Sequence, residues 1–122
     1  MKFYSQIISR VSALTGAALV VAGAFGAHAL KETLVEAEMY DVWRTASMYG
    51  LIHSALAMLW CYLDDVRKLP ALFWLVGVYL FSGSLYGLAL GGPGILGPVT
   101  PLGGLCFIVG WIAAIFGRKP AG

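Results

Sequence analysis

Long uncharged runs separated by short charged clusters organise this chain. Val11–Leu30 lies between Arg10 and Lys31, Thr45–Leu63 between Arg44 and Asp64, and Leu69–Gly117 between Lys68 and Arg118. A bilayer core takes about 20 apolar residues of helix. The first two runs each match one crossing, and the third has room for two crossings and a turn. That turn is legible in Gly91-Gly92-Pro93-Gly94-Ile95-Leu96-Gly97-Pro98-Val99-Thr100-Pro101, whose glycines and prolines oppose a continuous helix. The pattern predicts helices near residues 6–30, 44–63, 70–90 and 101–117. The expected fold is all-α, a single domain over residues 1–122 forming an integral membrane bundle of four transmembrane helices.

Between the first two runs, Val35, Met39, Val42 and Ala46 follow helical spacing while Glu32, Glu36 and Asp41 fall elsewhere on the wheel. This predicts a short amphipathic helix on the outer surface that runs into the second span. Lys2, Arg10, the first apolar run and Ala27-His28-Ala29 imitate a secretory signal, but the run is long for one and further runs follow, so it reads as a span.

Composition supports the lipid reading. Apolar residues make up 60% of the chain and charged residues 11%, against about a quarter charged in soluble domains. A chain of this length cannot bury so much apolar surface in a water-facing fold. A net charge of +2 with no basic run longer than two residues excludes a nucleic-acid partner. Cys61 and Cys106 stand apart in apolar stretches and read as small hydrophobes rather than metal ligands. The basic residues set an orientation. Lys2 and Arg10, Arg67 and Lys68, and Arg118 and Lys119 mark the N-terminus, the second loop and the C-terminus as cytoplasmic. Tyr40 and Trp43 then fall near the outer interface, and Trp60, Tyr62, Phe73 and Trp74 near the inner one.

Lipid supplies no hydrophobic force between helices, so small residues must allow close approach. One row per span is expected to do this: Ala18, Ala22 and Gly26; Ala46, Gly50 and Ser54; Gly83, Gly87 and Gly91; Cys106, Gly110 and Ala114.

No acidic or basic residue lies inside a predicted span, which disfavours proton-coupled transport. His28, Tyr49, His53, Ser82, Tyr86 and Thr100 form the candidate polar network, and Tyr79, Ser82 and Tyr86 share one face of the third span. Two histidines suggest a haem or metal site. However, helix rise puts them about 10 Å apart in depth, so interhelical hydrogen bonding is the favoured reading. No cofactor is expected.

Four segments together resemble a known family. They are Gly23-Ala24-Phe25-Gly26-Ala27-His28-Ala29-Leu30, Trp43-Arg44-Thr45-Ala46 leading through Tyr49 to His53-Ser54-Ala55-Leu56-Ala57, Phe81-Ser82-Gly83-Ser84-Leu85-Tyr86, and Thr100-Pro101-Leu102-Gly103-Gly104. Their order resembles the small membrane proteins known as domain of unknown function 423, which look related to the eukaryotic transmembrane protein 256. The resemblance spans nearly the whole chain and implies a four-span bundle in the bacterial inner membrane. It implies no reaction, and it marks Trp43 and Pro101 beside the polar residues above as positions to test.

The functional expectation is a non-enzymatic accessory, scaffold or assembly protein, with the lipid bilayer and a homo-oligomer or larger membrane complex as partners. An oligomeric pathway for small solutes or ions is the alternative, and a haem or metal redox role through His28 and His53 is third. A lipid-directed enzyme has least support, because neighbours such as His53 and Ser54 do not face each other on a helix.

Overall fold

The computed structural model describes residues 2–120. They form five helices: α1 Phe3–Ala27, α2 Lys31–Glu36, α3 Tyr40–Trp60, α4 Leu69–Ala89 and α5 Leu96–Ile115. Three of them, α1, α4 and α5, are long and apolar enough to cross a membrane by length and composition. The four long helices pack in chain order, α1 on α3, α3 on α4 and α4 on α5, while α1 touches α4 sparsely.

Three apolar layers stack along the helix axes. At one end Ala57, Cys61, Ala71, Trp74 and Leu75 meet Ile8, Val11 and Ala114. Leu19, Val78 and Phe107 fill the middle. At the other end Leu34, Trp43 and Ala89 close against Ala22 and Tyr86. The start of α1 thus lies beside the ends of α3 and α5 and the start of α4, which makes successive long helices antiparallel.

Local chemistry explains the helix ends. After α4, Gly91 adopts φ +82°. Its N–H bonds to Leu88 O, and Gly92 N–H bonds back to Gly87 O at 2.7 Å. This pairing satisfies the last carbonyls of a helix and needs a left-handed residue, here supplied by glycine. The same pairing ends α2: Glu38 N–H reaches Val35 O, Met39 N–H reaches Leu34 O, and Glu38 takes φ +59°. A side chain in that conformation costs roughly 1 kcal/mol.

Several expectations are corrected. The segment after α1 does not run into α3 as one amphipathic helix, because Ala37–Met39 form the turn just described. Its buried residue is Leu34, fully enclosed, whereas Val35 is exposed. The last helix begins at Leu96 rather than near residue 101. Pro98 falls in its first turn, where an N–H would have no partner anyway, so only Pro101 removes a helical bond. Trp43 and Trp74 are enclosed by neighbouring helices rather than turned outward, and only Tyr62 of the expected aromatics is well exposed.

The glycine rows are met unevenly. A Cβ on Gly26 would collide with the Trp43 ring, one on Gly50 would lie 2.7 Å from Ser82 Oγ, and one on Gly110 would lie 2.5 Å from Trp74. Gly87 faces Leu96, in the first turn of α5. Gly83 meets nothing within 4 Å inside the chain, and Ala18 is exposed. A spacing of four drifts around a 3.6-residue helix, so α4 turns Gly77 rather than Gly83 towards α5.

Candidate functional site

The polar stripe of α4 is aimed at α1 and α3. Tyr79 OH meets Thr15 Oγ1 at 2.6 Å, Ser82 Oγ donates to Ala46 O at 2.6 Å, and Tyr86 OH meets Ser47 Oγ at 2.6 Å. On its other side Ser84 Oγ meets Thr100 Oγ1 of α5 at 2.6 Å. Ser82 can reach a main-chain carbonyl because Gly50, one turn on from Ala46, leaves its hydroxyl room. Each contact ties two helices, and such bonds average about 0.6 kcal/mol in a membrane. The Tyr86 ring also packs at a tilt against Trp43 with centroids 4.4 Å apart, and Trp43 Nε1 donates to Ala22 O at 2.8 Å. Replacing Tyr86 by Phe is expected to lower unfolding stability by about 0.5–1.5 kcal/mol, since the ring contact stays and only the hydroxyl link is lost. Tyr86→Ala is expected to cost about 3–5 kcal/mol. Denaturant titration in detergent reads both.

His53 sits at the centre of a second cluster. Gly77 and Gly103 bring α4 and α5 so close that Phe107 lies over Gly77. Phe107 then stacks on the His53 imidazole, 3.7 Å between centroids and 11° from parallel. Trp111, one turn further along α5, donates its indole N–H to His53 Nε2 at 3.1 Å. Nε2 is therefore the acceptor, and the proton belongs on Nδ1, 2.7 Å from Tyr49 O. Both ring nitrogens are engaged by the protein.

The remaining candidates lie elsewhere. His28 is exposed at the end of α1, so the two histidines are not brought together. Tyr49 supplies its carbonyl to His53, and its half-exposed ring packs on Phe81 at 5.4 Å. His53, Ser82, Tyr86 and Thr100 thus form separate interhelical links rather than one network with His28 and Tyr49. Sequence reading missed Trp111 and Phe107. The signal was an indole N–H inside an apolar helix, which requires an acceptor at that depth.

The opposite construction marks one end of the molecule. Residues 61–68 join α3 to α4 and are held to the C-terminal segment by an antiparallel bridge between Val66 and Arg118. Arg67 N–H donates to Gly117 O and Lys119 N–H to Asp65 O, both at 2.7 Å. Lys68 Nζ reaches the carbonyls of Trp60, Cys61 and Leu63, placing a cation at the C-terminus of α3. Trp60 Nε1 donates to Arg67 O at 2.7 Å, and Gly117 lies beneath that ring. A cavity opens here, between the first turns of α1 and the start of α4.

Residues 22–104 match the family model described as protein of unknown function DUF423. The relatives agree over most of their length. A UPF0382 membrane protein of Haemophilus influenzae is 38% identical, covering 86% of this chain and 87% of its own. The Bacillus subtilis UPF0382 membrane protein YwdK is 37% identical over 89% and 90%. The UPF0382 inner membrane protein YgdD of Escherichia coli is 37% identical over 93% and 89%. No solved structure matches the chain. With the motifs of α1, α3, α4 and α5 all inside the matched region, the chain belongs to the DUF423 family of UPF0382 membrane proteins.

Proposed function

We propose that this is a four-span protein of the bacterial inner membrane, with both termini cytoplasmic, acting without catalysis as an accessory or assembly subunit. The observation that carries the membrane part is the inversion of α1. Its buried face holds Ser5, Ser9, Ser12 and Thr15, while Phe3, Tyr4, Ile7, Leu14, Val20, Val21 and Phe25 face outward. A helix in water would turn these faces round; lipid favours them as they stand. On α5, Leu102, Leu105, Ile108, Ile112 and Ile115 likewise point out.

The fourth crossing is supported by topology. Lys2 and Lys119 line one cavity, so the two ends of the chain lie on the same side of the molecule. An even number of crossings follows if α1, α4 and α5 all span, and α3 is the remaining long helix. It is less apolar than its neighbours because its buried face carries Ser47, His53 and Ser54. The E. coli relative is named an inner membrane protein, in keeping with this location.

An accessory role is favoured because most of the candidate polar side chains of the long helices are taken up within the chain, while the buried Ser12 Oγ, Ser54 Oγ and Trp74 Nε1 have no hydrogen-bond partner among the described residues. Tyr79, Ser82, Tyr86, Thr100 and both nitrogens of His53 already have partners within the chain. Extraction from native membranes in a mild detergent, followed by native mass and absorbance, tests the reading. The expected result is a colourless particle larger than the chain that contains a second protein, whose level falls when the gene is deleted. A solitary chain would overturn the accessory role, and a Soret band would overturn the cofactor-free reading. A colourless homo-oligomer would favour a solute pathway instead, to be tested by liposome flux with His53→Ala and Tyr86→Phe.

A further inference from the structure

The cavity at the loop end has a volume of about 640 Å³, within the range of small-ligand sites. Its lining is divided. Lys2, Arg67, Lys68 and Lys119 supply four cations against Asp64 and Asp65. Tyr4, Ile8, Leu69 and Leu72 supply an apolar wall between α1 and α4. The four cations are not equivalent. Lys68 spends its ammonium on three carbonyls, and Arg67 donates to Phe116 O at 3.2 Å. The side-chain ammonium groups of Lys2 and Lys119 form no hydrogen bond or ion pair among the described residues, and the fold does not use their charge. The Val66–Arg118 bridge fixes the loop, and with it the backbone that carries Lys119.

We infer that this cavity binds an anionic phospholipid, with the phosphate between Lys2 and Lys119 and an acyl chain along the apolar wall. A basic pocket between helices at the membrane surface is suited to a lipid headgroup. Three observations favour a lipid over free phosphate. The cavity is walled by aliphatic side chains, it opens between α1 and α4, and Tyr4 and Leu69 continue the wall onto the exposed apolar surface. A lipid can therefore enter sideways without its tail leaving the hydrocarbon.

The test is lipid retention by the full chain in a neutral detergent, read by native mass spectrometry. Phosphatidylglycerol and phosphatidylcholine are added in parallel, and inorganic phosphate is titrated separately. Phosphatidylglycerol is expected to be retained about ten-fold more than phosphatidylcholine. Lys2→Ala with Lys119→Ala removes that preference, and Lys2→Gln with Lys119→Gln, which keeps the stems, does the same. Arg10→Ala, which removes a charge of the same helix outside the cavity, leaves it intact. Equal retention of the two lipids would overturn the assignment. So would an equal loss in Arg10→Ala, which would mean general charge attraction. Inorganic phosphate binding as tightly as the lipid would also overturn it, by making the apolar wall irrelevant.

Discussion

Gly103→Ala is expected to cause the largest loss of stability of any single-methyl change in this chain. A Cβ at residue 103 would lie 2.7 Å from the Phe81 Cα and against its backbone nitrogen. Neither atom can rotate away, so α4 and α5 must separate. Overpacking of this kind costs about 1–3 kcal/mol, and more when the backbone must shift. Alanine's better helix propensity returns only about 0.5–1 kcal/mol. Separation has a second consequence, because Gly77 and Gly103 set the distance at which Phe107 reaches His53. The sum is a fall in thermal midpoint on the order of 10 °C in detergent. Gly83→Ala is the matched control. It adds the same methyl to α4 where nothing lies within 4 Å, and its midpoint should hold or rise. Equal melting of the two variants would contradict the close approach of α4 and α5.

That pair of glycines also shows what the sequence could reveal. The uncharged runs located the four long helices, because excluding charge from a 20-residue segment leaves an unambiguous signal. The stripe of Tyr79, Ser82 and Tyr86 was equally legible: a shared face with three hydroxyls has to meet acceptors, and it meets α1 and α3. The helix facing each small residue was not legible. Small residues are frequent in all four helices, and α4 packs against α3 and α5 at once, so a four-residue spacing cannot say which row is used. Gly83 belonged to such a row and faces open space, while Gly77 and Gly103 belonged to none and form the closest seam. The start of α5 was hidden for a related reason. Pro98 reads as a breaker by composition, yet a proline in a first turn breaks nothing. Tryptophan as a type suggests an outward-facing interfacial ring, but the indoles of Trp43 and Trp74 each lie over a glycine of a neighbouring helix, Gly26 and Gly110. No one-dimensional pattern records that complementarity.

The His53 cluster depends on contacts across three helices, and its disruption is the second large effect expected. His53→Ala removes the ring on which Phe107 stacks and the acceptor for the Trp111 indole. The stack lies at 3.7 Å, so the void opens directly beside Phe107. Cavity formation and an unpaired N–H together should cost about 2–4 kcal/mol. The two contributions are separable. His53→Phe keeps an aromatic face for Phe107 and orphans only the indole N–H, so it should cost about 1–2 kcal/mol. Adding Trp111→Phe then removes the orphan. The double variant should be more stable than the sum of the single losses predicts, by about 0.5–1.5 kcal/mol. Denaturant unfolding of the four proteins in one detergent completes the cycle. Strict additivity would mean that the 3.1 Å contact carries no energy and that His53 acts through packing alone. A positive coupling would identify the histidine as the acceptor that lets a tryptophan of α5 anchor to α3 at the middle of the fold.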